Sequence, residues 1–250
     1  MYGRFSRMGR VHAHGAGASR HWVFLAILMT LLILAPASSV WAQEPSTASV
    51  TLQQGADGYE GATDTYLDLG NATTVWGNAD RLRTKTTENA DALLRFDVTS
   101  IPAGSTVQQA TLRLYAIDHT GLRPTARTNN FFRWWPSITL RSHQVLRPWA
   151  EDSATWEVAA TGDAWEMPGC QGAGVDYVGE YTDEVVGFEE IRSWVEFDVT
   201  ELVQQWIDNP DSNYGVVIKA YLHTVTISYS FWSSEGPLAW FRPQLVVDYQ

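Results

Sequence analysis

The feature that most restricts this chain is a period of two, repeated in short stretches along most of its length. In ALLRFDV, Ala92, Leu94, Phe96 and Val98 alternate with Leu93, Arg95 and Asp97. In QATLRLYAI, Ala110, Leu112, Leu114 and Ala116 alternate with Thr111, Arg113 and Tyr115. The same rhythm runs through Ile138/Leu140, Val195/Phe197/Val199, Val216/Ile218/Ala220, Val225/Ile227/Tyr229/Phe231 and Leu245/Val247/Tyr249. Val50/Leu52 and a segment around Thr65–Leu69 add two more. Successive side chains of a strand point to opposite sides, so each stretch reads as a strand with one side packed inward. About nine such strands with few helical signals predict an all-β fold, a two-sheet jelly-roll β-sandwich. One segment departs from the rule. In VTELVQQWIDNP, Leu202, Val203, Trp206 and Ile207 fall on one helical face. Thr200 stands where its hydroxyl would cap the first turn, and Asn209-Pro210 ends it, predicting one short helix.

The first 42 residues read as an address. Arg4, Arg7, Arg10 and Arg20 form a basic leader without an acid, and the apolar run from Trp22 to Leu34 is broken at Pro36. That run is short for a bilayer span, which needs about 20 residues, but suits the core of a signal peptide. Val40-Trp41-Ala42 places small residues at the two recognition positions, so residues 1–42 read as a signal peptide cleaved after Ala42. The alternative is an uncleaved anchor. No cysteine directly follows the run to carry a lipid, and no later segment is long and apolar enough to span a membrane. The expectation is a secreted, extracellular or cell-surface protein, with no membrane contact after cleavage.

Charge narrows the partners. The chain has 17 Lys+Arg against 28 Asp+Glu, a net charge of −11, which argues against nucleic acid. The lone cysteine, Cys170, excludes a disulfide framework, a zinc finger or a CxxC redox site, and reads as an inert thiol. Residues 81–147 carry ten Lys+Arg and four acids, whereas 148–191 carry eleven acids and no base. Two connections, 119–136 and 148–192, are long. Structureless stretches of that size are uncommon in compact domains, and serve as binding elements or pack against the core. With no internal repeat, residues 48–250 read as a single domain.

Four stretches, taken as a set, resemble a known family: ALLRFDVTSIPAGSTVQQATLRLYA, RPWAEDSATW with GDAWEMPGC, FDVTELVQQWIDNPDSNYGVVIKA, and SSE with RPQLVVDY. Together they are similar to the DNRLRE-type domain, which overlaps carbohydrate-binding module family 96, from about Thr51 to Tyr249. The resemblance implies an exported β-sandwich module, and one branch of the family binds alginate-type acidic polysaccharide as an appendage of lyases. No second, catalytic domain is expected beside it, and Gly121–Pro136 looks like an insertion.

Several residues are candidates for ligand contact. Opposite the apolar sets, the strands project Arg95, Arg113, Tyr115, Arg141, His143, Lys219, Tyr221 and His223. On one shared face, arginine forks would hold uronate carboxylates and tyrosine rings would stack on sugars. The alternative is two separate outer faces, each cation answering a nearby acid. A second candidate is the loop with Arg123, Arg127, Phe131, Phe132, Arg133, Trp134 and Trp135, either a ligand surface or a cover over one end of the sandwich. Trp149, Trp156, Trp165 and Trp206 read as structural anchors. Asp57, Asp64 and Asp68 could hold a structural calcium, although their spacing is not that of an EF-hand and solvated turns are the default.

No hydrolase, zincin or phosphate-loop motif is present, so the chain reads as non-catalytic. The enzymatic alternative is a jelly-roll polysaccharide lyase, with Arg141 and His143, or Tyr221 and His223, neutralising a uronate and abstracting its proton. A third reading is a structural or adhesive envelope module that recognises protein or matrix. The leading expectation is a secreted module for acidic polysaccharide such as alginate.

Overall fold

The structure is a computed structural model that describes residues 46–87, 90–120, 138–188, 190–221 and 226–250. The leader 1–42, the loop bearing Arg123, Arg127, Phe131, Phe132, Arg133, Trp134 and Trp135, and the positions His223 and Val225 lie outside the described residues.

Among the described residues, thirteen strands and one α-helix follow in chain order: β1 (Ala48–Gln53), β2 (Ala62–Asp68), β3 (Arg81–Lys85), β4 (Ala90–Phe96), β5 (Val107–Thr120), β6 (Ile138–Gln144), β7 (Val158–Ala160), β8 (Asp163–Ala164), β9 (Asp183–Phe188), β10 (Ser193–Asp198), α1 (Thr200–Asp208), β11 (Val216–Tyr221), β12 (Ser228–Trp232) and β13 (Gln244–Tyr249). Eleven strands make one antiparallel sheet in the order β1-β13-β5-β12-β3-β4-β11-β6-β9, with β10 added on β5 and β2 on β4. Strand β5 is long enough to serve three partners. It pairs with β13 through Arg113, with β12 from Ala116 onward, and with β10 over Thr111–Ala116. Among the described residues, β3 and β4 share the pair Lys85↔Ala90.

The curled sheet encloses one large apolar core. The inward sets of β4, β5, β10, β11 and β13 meet Leu82, Phe231 and the helix residues Leu202, Val203, Trp206 and Ile207 in it. Phe197 and Phe231 are fully buried, and each such side chain contributes about 1.5–3 kcal/mol relative to exposure. The helix forms where its apolar spacing predicts, but its cap differs. The Thr200 hydroxyl donates to Asp198 Oδ1 and accepts the Ala110 amide, tying α1 to β5, while Asp198 Oδ1 receives the Thr200 amide.

A second apolar cluster lies on the outward side of β2, β4 and β11. There Leu67, Leu93 and Val217 meet Trp149, Ala154, Trp156, Ala159, Trp165 and Cys170 from the long connection after β6. The connection is held by hydrogen bonds that are wholly or partly buried. Trp149 Nε1 donates to Tyr214 O at 2.8 Å, and Trp165 Nε1 donates to Thr155 O at 2.9 Å. The Asp176 carboxylate accepts the amides of Glu166, Met167 and Gly172. Gly169 sits at φ +83°, where a Cβ would come within 2.4 Å of the Trp156 ring. Trp149, Trp156, Trp165 and Trp206 are all buried in these two clusters, as anchors.

Candidate functional site

All seven described candidates point outward from the curled sheet, and strand order brings five of them together on β4, β11 and β6. Lys219 pairs across β6 with Arg141, and Tyr221 with Thr139, putting Arg141, His143, Lys219 and Tyr221 on neighbouring outward positions. Arg95 follows Leu93 on the same side of β4, its guanidinium 5.4 Å from the Trp149 ring. Arg113 and Tyr115 do not join them. They point outward from β5, next to β10 and β13. The single shared face is therefore two faces.

The first face is largely closed. Lys219 is 3% exposed: its ammonium lies 2.7 Å from Asp91 Oδ2 and donates to Cys170 O and Gln171 Oε1. Burial pulls this ammonium toward neutrality, but the charge and hydrogen bond of Asp91, with Cys170 and Tyr177 beside it, together leave its pKa above the ordinary lysine value. His143, 2% exposed, has its Nδ1 at 3.0 Å from Val178 O and 3.2 Å from Glu180 O, and burial lowers its pKa. These two are corrected from ligand contacts to internal ties, because the connection after β6 covers the side toward which they point. Arg141 stays half-buried between the Tyr181 and Tyr221 rings, 4.7 Å from each, and pairs with Glu184. The buried Cys170 thiol, pushed up by burial, is inert in this setting.

The second face is open. Tyr115 stacks on Phe241 at 4.0 Å and meets Trp194 edge-on at 5.3 Å; Phe241 in turn meets Trp240 at 6.2 Å. Trp240 is 64% exposed. The Arg113 guanidinium lies 4.7 Å over the Trp194 ring, and its nitrogens reach Glu196 at 2.7 Å and Gln244 at 2.9 Å. Arg192, exposed just before β10, accepts the Tyr115 hydroxyl on its carbonyl. A row of four rings with guanidinium and carboxylate groups alongside can stack on sugar rings while holding their polar substituents. Trp194, Trp240 and Phe241 were not among the sequence candidates. Parity would have found Trp194, since Val195, Phe197 and Val199 face inward.

A polar cleft of about 880 Å³ opens between α1, the start of β5 and the segment before β9. Among the described residues it is lined by four glutamines, Tyr181 and the carboxylates of Glu180, Asp183, Asp198 and Glu201, with neither Lys nor Arg. Its charge repels a polyanion.

The three aspartates proposed for calcium do not converge. Asp57 lies in an exposed turn at φ +51°, and Asp68 is engaged by Lys85 at 2.7 Å and by the Gly70 amide. Asp64 instead faces Glu151 and Glu235, with ligand-type oxygens within 4.8 Å of one another.

A curled antiparallel sheet with aromatic rings along one outward face defines a β-rich domain. The family model of Carbohydrate-binding module family 96 matches residues 56–249, nearly all of the described chain, and the protein belongs to that family. A comparison with curated proteins returned no match. No helix among the described residues is long and apolar enough to cross a membrane.

Proposed function

We propose that this is an exported, non-catalytic module that grips acidic polysaccharide of the alginate type on the outer face of β5, β10 and β13. In this reading residues 1–42 are removed on export, and residues 48–250 act as a two-layered jelly-roll module. The observation that carries it is the Trp240–Phe241–Tyr115–Trp194 row with Arg113 over its end. A sugar ring lies on exposed aromatic surface, and its carboxylate competes with Glu196 for the Arg113 fork. Family membership supports carbohydrate as the ligand class. The test is calorimetric titration with alginate and with a neutral glucan at low and high salt. Alginate binding that weakens with salt is expected. Equal binding of the glucan, insensitive to salt, overturns the acidic specificity, and silence with both overturns the reading.

Two other readings each have an observation behind them. Exposed Leu238 beside Trp240 also suits a protein or matrix partner. Such a module would bind no glycan and would associate through Trp240. For a lyase, Arg141, Tyr221 and His143 do come together, with the Tyr221 hydroxyl 3.4 Å from His143 Nε2. Burial raises the Tyr221 pKa, which opposes its use as a base at neutral pH, and His143 is covered. Absorbance from unsaturated uronates on incubation with alginate or pectate would establish the lyase.

A further inference from the structure

Asp64 on β2, Glu151 at the start of the covering connection and Glu235 after β12 are far apart in the chain, yet their carboxylates converge. The central member is fixed in place. Asp64 Oδ2 accepts the Ser234 amide at 2.8 Å, and the Asp64 amide donates to Glu151 Oε1 at 2.8 Å. Its other oxygen, Oδ1, is buried without a hydrogen-bond partner among the described residues, in a side chain only 2% exposed. A buried acceptor left without a partner costs about 1–3 kcal/mol, more when charged, so it marks a place where a further group belongs. Burial, with Glu235 and Glu151 adding repulsion, raises the Asp64 pKa well above the carboxylate range; burial raises that of Glu151 as well. Arg95 is close enough to offset some of the charge on Glu151 but does not contact Asp64 Oδ1.

We propose that Asp64, Glu151 and Glu235 form a binding site for a hard divalent cation, calcium. Calcium takes six to eight oxygens at about 2.3–2.6 Å, so two oxygens on one ion lie at most about 5 Å apart, as these do. Three carboxylates supply up to six oxygens, and water reaches the exposed Glu235 side to complete the shell. Magnesium, which demands near-ideal octahedral geometry and dehydrates reluctantly, fits this mixed set less well. The ion would clasp β2, the covering connection and the loop after β12. Its effect is on stability, and it stands independently of any glycan.

The test is calcium titration of the chelator-treated full chain, by calorimetry and by thermal unfolding, without polysaccharide. One ion per chain and a melting temperature that climbs with calcium are expected, with a smaller response to magnesium. Glu235→Gln, at an exposed position, should fold normally and bind calcium at least tenfold more weakly. Asp64→Asn should lose the response and, freed of a buried charge, melt no lower than the metal-free native chain. No heat and no shift up to ~10 mM calcium, beyond the weakest extracellular sites, would overturn the site. So would an undiminished response in Glu235→Gln or Asp64→Asn.

Discussion

The outward sides of β6–β11 and of β5–β10 begin from the same pattern and end differently. Each carries a guanidinium beside aromatic rings: Arg141 with Tyr181 and Tyr221, Arg113 with Trp194. Over the first, the connection after β6 turns Lys219 and His143 into buried ties and leaves Arg141 at the margin. The second face keeps Trp240 in solvent and its rings in a row. The alternation decides which side of a strand a residue takes. What covers that side is decided by segments distant in the chain.

The largest effect tests the closed face. Lys219→Ala leaves Asp91 charged and buried, and should cost about 3–5 kcal/mol in urea unfolding. Replacing both partners, as Lys219→Met with Asp91→Leu, should recover most of that loss. A native-like Lys219→Ala would mean that this side is open and that the comparison fails.

On the open face, Trp240→Ala should weaken alginate binding about tenfold while changing stability by less than about 0.5 kcal/mol. Calorimetry and unfolding of one preparation check both. A smaller loss, about two- to fivefold, is expected for Arg113→Ala, along with a shallower salt dependence. Loss of its pair with Glu196 should cost a few tenths of a kcal/mol, since both groups are partly exposed.

The smallest effect concerns pH. Burial depresses the folded pKa of His143, so the unfolded chain binds the proton more readily. Its stabilising share is complete above the unfolded value of about 6.5 and is lost as pH falls toward the lower folded value. Arg141, Lys219, Tyr177 and Tyr221 surround it, and the two cations add to the depression. In His143→Asn, which keeps a donor near the Nδ1 position, the loss of stability below pH 6.5 should be visibly shallower. An identical slope would remove His143 as the cause.

Much of the fold was legible, because burial on one side imposes alternation: the segments expected for β1, β2, β4, β5, β6, β10, β11, β12 and β13 form there. β3 escaped notice because RLRTK shows one leucine among cations, and Thr84 fills its other buried position. β9 was hidden in an acidic stretch with little alternation. The candidate site was less legible. Arg113 and Tyr115 could be named from parity, but Trp240 and Phe241 reach them from a short turn that no period announces. The carboxylate cluster is harder still, since Asp64 meets Ser234 across 170 residues.

The central claim is that polysaccharide lies on the β5–β10 face, with the β6–β11 face serving the fold. Alginate titration of the native chain, Trp240→Ala and Arg141→Ala under one buffer tests it most directly. The account predicts about a tenfold loss for Trp240→Ala and a change within about twofold for Arg141→Ala. Unchanged binding in Trp240→Ala together with a collapse in Arg141→Ala would contradict it.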